Sequence, residues 1–126
     1  MFSHVMLGAN DVAVSKKFYD AALGALGVAP GIVDGKGRAI WMTKTGLFMI
    51  TAPINGEPAC GANGATLGFA AETTEAAAAF HAAGLANGGT AIEDAPGVRG
   101  EGSAMPMFLA YLRDPAGNKI CALKRM

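Results

Sequence analysis

Cysteine and histidine are scarce in this chain of 126 residues, with two of each. Cys60 and Cys121 are too few and too widely separated for a disulfide framework or a ribbon-type zinc site, so two reduced thiols in a cytoplasmic protein are expected. With only His4 and His81 available, no Ser-His-Asp arrangement suggests itself. No apolar run approaches the roughly 20 residues that a membrane-spanning helix requires. The start Met1-Phe2-Ser3-His4 carries no basic region, so an ordinary secretory signal is not expected. Neither sign of charge is in excess, with 10 Lys and Arg against 10 Asp and Glu. The cations are scattered and form no stripe that could follow a phosphate backbone, so neither nucleic acid nor an anionic membrane is expected as a partner. Glycine is plentiful at 18 residues, yet no strand–Gly-x-Gly-x-x-Gly–helix or Gly-Lys-Ser/Thr phosphate loop occurs.

What is present is an apolar chain, 52% hydrophobic, of a length that makes one domain and buries about two thirds of its unfolded surface. It also repeats itself. His4-Val5-Met6-Leu7-Gly8-Ala9 lies over Thr66-Leu67-Gly68-Phe69-Ala70-Ala71, and the register then carries Phe18 onto Phe80, Tyr19 onto His81, Leu23 onto Leu85 and Gly27 onto Gly89. A duplicated unit makes a pseudo-two-fold shell, and the seam between its halves is the natural place for a ligand.

Each half reads as strand, helix, then further strands. In the first, a strand over residues 2–8 precedes Asp11, a helix N-cap, and a helix that runs to about Leu26 before Gly27. Val14, Phe18, Ala21 and Ala25 form its apolar stripe, with Ser15, Lys16, Lys17 and Asp20 outward. Strands over 29–33, 38–43 and 47–52 follow. Residues 53–63, rich in turn formers, join the halves. The second half has a strand over 65–71, Thr73 capping a helix over 74–87, a strand near 90–93, a Gly-rich loop through 96–103, and strands over 107–113 and 118–124. This predicts an α+β fold of two tandem βαβββ modules, about 1–54 and 64–126, within a single domain. Strand alternation puts Val5, Leu7, Phe48, Ile50, Leu67, Phe69, Phe108 and Leu112 under the helices. The opposite set includes His4, Met6, Met49, Thr66, Tyr111, Arg113, Lys119 and Cys121, a mixture of apolar and polar groups that suits a small-molecule cavity.

The run His4…Gly8…Asp11…Phe18-Tyr19…Leu26-Gly27, together with the closing Asp114-Pro115-Ala116-Gly117-Asn118-Lys119-Ile120, resembles the vicinal oxygen chelate superfamily. Glyoxalase I, extradiol dioxygenases, fosfomycin-resistance thiol transferases and bleomycin-binding proteins belong to it, and the likeness covers essentially the whole chain. It implies a barrel built from the two paired modules. Metal-dependent members hold a divalent ion with two side chains per module. Carried over by position, those sites fall on His4, Met49, Thr66 and Cys121, of which only His4 is a usual ligand. Hard or borderline divalent ions favour imidazole and carboxylate donors, so no divalent cofactor is expected. The set would at most suit a soft ion such as Cu(I).

The residues themselves keep alternatives open. His4 is either a cavity-facing imidazole or a histidine satisfied by nearby backbone. Cys121 is either a small apolar filler or a nucleophile activated by Lys119, Arg113 or an imidazolium. Tyr111 and Arg113 either present a phenol and a guanidinium to a polar ligand or end a solvated strand. Arg99 either closes over a ligand or is simply solvated, and His81 is a partly exposed helix residue. The function expected is a glyoxalase-like protein that binds a compact, partly apolar small molecule between the modules through His4, Met49, Thr66, Tyr111, Arg113 and Cys121. Ordinary glyoxalase I activity is not expected, since no carboxylate and metal are there to stabilise an enediolate. Two alternatives stand beside it. One is a lyase, isomerase or thiol transferase whose catalytic candidates are His4, Cys121 and Tyr111. The other is a metal-free protein that sequesters an antibiotic. A homodimer is expected, because family members commonly pair through exposed sheet edges or exchange modules.

Overall fold

In the computed structural model, which describes residues 1–126, the chain forms two helices and two separate sheets. The first half contributes β1 (His4–Gly8), α1 (Val12–Gly24), β2 (Ile32–Val33), β3 (Ala39–Thr43) and β4 (Gly46–Thr51). The second contributes β5 (Leu67–Ala70), α2 (Thr74–Ala86), β6 (Thr90–Ala91), β7 (Gly97–Arg99), β8 (Met107–Arg113) and β9 (Lys119–Arg125). No helix is long and apolar enough to cross a membrane.

Both helices start where their caps demand. Asp11 and Thr73 have extended backbones and accept the amides of Val14 and Ala76 at 3.1 and 3.0 Å. The buried face of α1 differs from the expected stripe. Val14 is 49% exposed, while Ser15, Phe18, Tyr19, Ala22 and Leu23 are buried. The buried positions 15, 18, 19, 22 and 23 recur at helical spacing, so the small Ser15 shares the face by which α1 packs against the rest of the molecule.

The sheets repeat one topology. The first has strand order β1-β4-β3-β2, with β1 parallel to β4; the second has β5-β9-β8-β6, with β5 parallel to β9. Strand β7, in the segment expected as loop, pairs with β8 on the same edge as β6. The outer strand of the second half is therefore one strand broken between residues 92 and 96. Within the break Glu93 has φ of 57°, the one non-glycine residue in the left-handed region.

One core serves both halves. Phe18, Tyr19, Trp41, Phe48, Ile50, Phe80, Leu112, Ile120 and Ala122 belong to a single cluster, with Leu67 and Phe69 packed on it. The Tyr19 and Phe48 rings lie 4.7 Å apart, Phe48 and Phe69 5.2 Å, and Phe69 and Phe80 6.1 Å, so aromatic contacts run continuously from one half to the other. Each buried ring contributes on the order of 1.5–3 kcal/mol, which makes this aromatic chain the main tie between the modules.

A polar knot adds to that tie. Asp114, 3% exposed, accepts the Tyr19 hydroxyl at 2.7 Å, the Ala116 and Asn118 amides at 2.9 Å and the Asn118 side-chain amide at 2.8 Å. Asn118 also donates to the Gly8 carbonyl at 2.9 Å, fastening the β8–β9 turn to the end of β1. Burial, with the Asp114 charge and hydrogen bond in support, holds the Tyr19 phenol well above its ordinary ionisation range. The connecting segment is seated in the same seam. Its Ala59 amide donates to Asn10 at 2.7 Å, Ala59 leaves no slack beside Gly8, and Gly61 runs so close to the Gly117 carbonyl that no side chain fits.

Candidate functional site

Alternation along the strands fixes which side chains turn away from this core. Phe48, Ile50, Leu112, Ile120 and Ala122 lie on the helix-bearing faces; Met49, Leu109 and Cys121, though buried, lie outside the core cluster and on the opposite faces. The anticipated site residues fall on those outer faces in two groups.

The second sheet holds the larger group. The β8–β9 register sets Tyr111 opposite Cys121 and Arg113 opposite Lys119, and the β5–β9 register sets Gly68 on the other side of Cys121. A Cβ at Gly68 would stand 3.4 Å from the Cys121 sulfur, so the glycine leaves the thiol flanked by bare backbone on that side. Lys119 lies over the Tyr111 ring, with Nζ 5.0 Å from its centroid, and pairs with Glu93 at 2.9 Å. Glu93 is a carboxylate that the sequence gave no reason to place here. It reaches the group from the break between β6 and β7, and no local pattern links positions 93 and 119.

The electrostatics of this group oppose a reactive thiol. Burial raises the Cys121 thiol above its ordinary range; Lys119 pulls it down and Glu93 pushes it back up. Burial likewise raises Tyr111, helped by Cys121 and Glu93 and opposed by Lys119 and Arg99. Two cations are committed elsewhere. Arg113 donates to the Gly117 carbonyl at 2.7 Å, and Arg99 donates to the carbonyls of Asp94 and Ala95 at 3.2 and 2.9 Å.

The first sheet holds His4 and Met49. His4 is exposed, and its Nδ1 lies 2.9 Å from the Ser3 hydroxyl, which leaves Nε2 free. Met49 stands between Met6 on β1 and Ile40 on β3. Thr66, exposed, precedes β5 by one residue. Cys60 is exposed on the connecting segment and forms no disulfide. His81 is half-buried on α2; burial lowers its pKa, and a bond to the Tyr111 backbone opposes the shift. No hydrogen bond or ion pair joins the His4–Met49 group to the Tyr111–Cys121 group. A groove of about 760 Å³, open to solvent, passes His4 and runs between β5, the β3–β4 turn and the end of α1.

The donors do not fit a hard divalent ion. The carried-over positions offer one imidazole, one thioether, one hydroxyl and a thiol kept protonated by burial, with no carboxylate among them. Nowhere do three His, Cys, Asp or Glu side chains converge as a metal cluster.

The fold has known counterparts. Residues 1–122 match the model of the Glyoxalase/Bleomycin resistance protein/Dioxygenase superfamily. A glyoxalase/bleomycin resistance protein from Albidiferax ferrireducens T118 is 59% identical over 99% of each chain, with a TM-score of 0.93. A family enzyme from Burkholderia phytofirmans PsJN shares the fold at 19% identity over 98% of each chain, with a TM-score of 0.74. A lactoylglutathione lyase from Agrobacterium tumefaciens does so at 16% identity over 98% of this chain and 92% of that one, with a TM-score of 0.67. The comparison with curated proteins finds no match. A whole-length family match, a close structural counterpart and the twice-used strand–helix–strand plan lead to one assignment: this chain belongs to the glyoxalase/bleomycin resistance protein/dioxygenase superfamily.

Proposed function

We propose that the protein binds a compact, partly apolar small molecule without a resident divalent metal, in a cavity completed by a second copy of the chain. The observation that carries this reading is the placement of the two groups. His4 and Met49 lie on the helix-free face of one sheet, Tyr111, Arg113 and Cys121 on that of the other, and the edge strands β1 and β5 each have one side without a strand partner. Two copies that join such edges satisfy the open backbone groups and set one group opposite the other. The ligand then meets thioethers and an imidazole on one wall, a phenol and a thiol on the other.

Light scattering and metal analysis test this reading together. A dimer is expected, with less than about 0.1 equivalent of Mn, Fe, Co, Ni or Zn retained after dialysis, in keeping with the donor preferences of those ions. A tight divalent equivalent lost on His4→Ala, or a monomer at micromolar concentration, overturns it. The thiol reading has its own check. In the native protein only Cys60 should react quickly with a disulfide reagent near pH 8, because burial keeps Cys121 protonated.

A further inference from the structure

The outer face of the first sheet carries an unusual donor set. Met6 lies opposite Met49, His4 precedes Met6 by two residues and so shares its face, and Met42 lies opposite Leu47 in the adjoining row. Paired strands stand about 4.8 Å apart, and same-face neighbours along a strand about 6.6 Å apart, so long unbranched thioethers and an imidazole at these positions can converge on one point. The face holds no charged side chain. Its remaining members along the paired strands are Ile32, Ile40, Leu47, Thr51 and Gly8. The Ser3 hydroxyl engages His4 Nδ1 and so presents Nε2, the way an outer hydrogen bond orients a ligating imidazole. Exposure is graded, from Met49 at 6% to Met6 at 38% and Met42 at 65%, so the buried thioether is approached past the exposed ones.

The fold does not demand these residues. In the repeated half, Thr66, Gly68 and Cys121 stand where the first half has His4, Met6 and Met49. Thioethers and an imidazole are soft-to-borderline donors, and an uncharged donor set compensates a monovalent ion more readily than a divalent one.

We propose that this face binds one soft monovalent cation, Cu(I), through the thioethers of Met6 and Met49 and Nε2 of His4, with Met42 at its rim. The step is ligand binding alone; copper enters and stays as Cu(I), and no electron is transferred. The proposal uses two residues of the small-molecule cavity but does not depend on it, since that reading requires no metal and survives either result.

The test is a titration of Cys60→Ser protein, labelled with [13C-methyl]methionine, with Cu(I) under reducing, oxygen-free conditions. Removing Cys60 takes away the exposed thiol. The methyl resonances of Met6 and Met49 are expected to shift and saturate at one equivalent, while those of Met105, Met107 and Met126 stay in place. Against bicinchoninate, the chain should retain copper at least tenfold more strongly than its Met6→Leu/Met49→Leu variant, with His4→Ala intermediate. Unmoved Met6 and Met49 methyls overturn the proposal, as does undiminished retention by the double leucine variant. The methyl shifts need no substitution at the site, so they decide the question even if the double variant does not fold.

Discussion

The pseudo-two-fold gives the molecule two equivalent seams, and they are built differently. Where β1 meets the β8–β9 turn, Asp114 and Asn118 knot Tyr19 and Gly8 together, and the connecting segment fills the remaining space. Where β5 meets the β3–β4 turn, the registers put Thr43 in place of Asp114 and Gly46 in place of Asn118, and the repeat puts His81 in place of Tyr19. None of the three reproduces the knot, and the seam remains a groove of about 760 Å³. The backbone plan is shared, so a few side chains decide whether a seam is closed structure or open space. Close packing of both seams would leave nowhere for a partner to enter.

The sharpest way to break this contrast is Asp114→Ala. It strips the acceptor from four donors in a buried site and should cost about 4 kcal/mol, read by denaturant unfolding. A loss under about 1 kcal/mol would show that the aromatic chain alone holds the modules. Tyr19→Phe removes one bond of the knot and should cost about 2 kcal/mol at neutral pH. It should also change the alkaline limb of stability. The phenol's folded pKa lies above its ordinary value of 10.0, so its contribution is intact below about pH 10 and is lost as pH rises toward the folded value. The variant's stability should therefore fall less steeply above pH 10 than that of the unaltered chain.

Gly61→Ala tests the seated connector. With the Gly117 carbonyl in the way, the backbone must shift, and a loss of about 1–2 kcal/mol is expected by thermal unfolding. The smallest effect belongs to the open seam. Thr43→Ala, at the position equivalent to Asp114, should change stability by less than about 0.5 kcal/mol, because its hydroxyl bonds only within the exposed turn. A larger loss there would mean that the groove is held as tightly as the knot.

Features legible in the sequence were those set by neighbours in the chain. Asp11 and Thr73 cap their helices as expected, and strand alternation placed Met49 and Cys121 on the faces opposite the helices. The Asp114 turn was readable as a turn, but the bond from its carboxylate to Tyr19 spans 95 positions and leaves no local trace. Ser15 was misassigned because its hydroxyl reads as polar surface, although it lies at helical spacing from the buried Phe18, Tyr19 and Ala22. Strand β7 escaped because glycine and proline at 96–102 read as loop, although β8 offers an edge to pair with. At the candidate site, strand parity separated the helix-facing residues from those on the opposite faces. The division of the latter into two groups was not legible, because it follows from how the sheets sit around a common core.

The seated connector has a consequence for how this chain can change. Segments between repeated units are usually where insertions and fusions are accepted, since little rests on them. Here Ala59 and Gly61 are lodged against Asn10, Gly8 and Gly117, so a peptide spliced between them would lever the halves apart. The permissive position lies at the other seam, the exposed Lys44-Thr45 tip beside the open groove, where a reporter could be grafted with both modules left as they are.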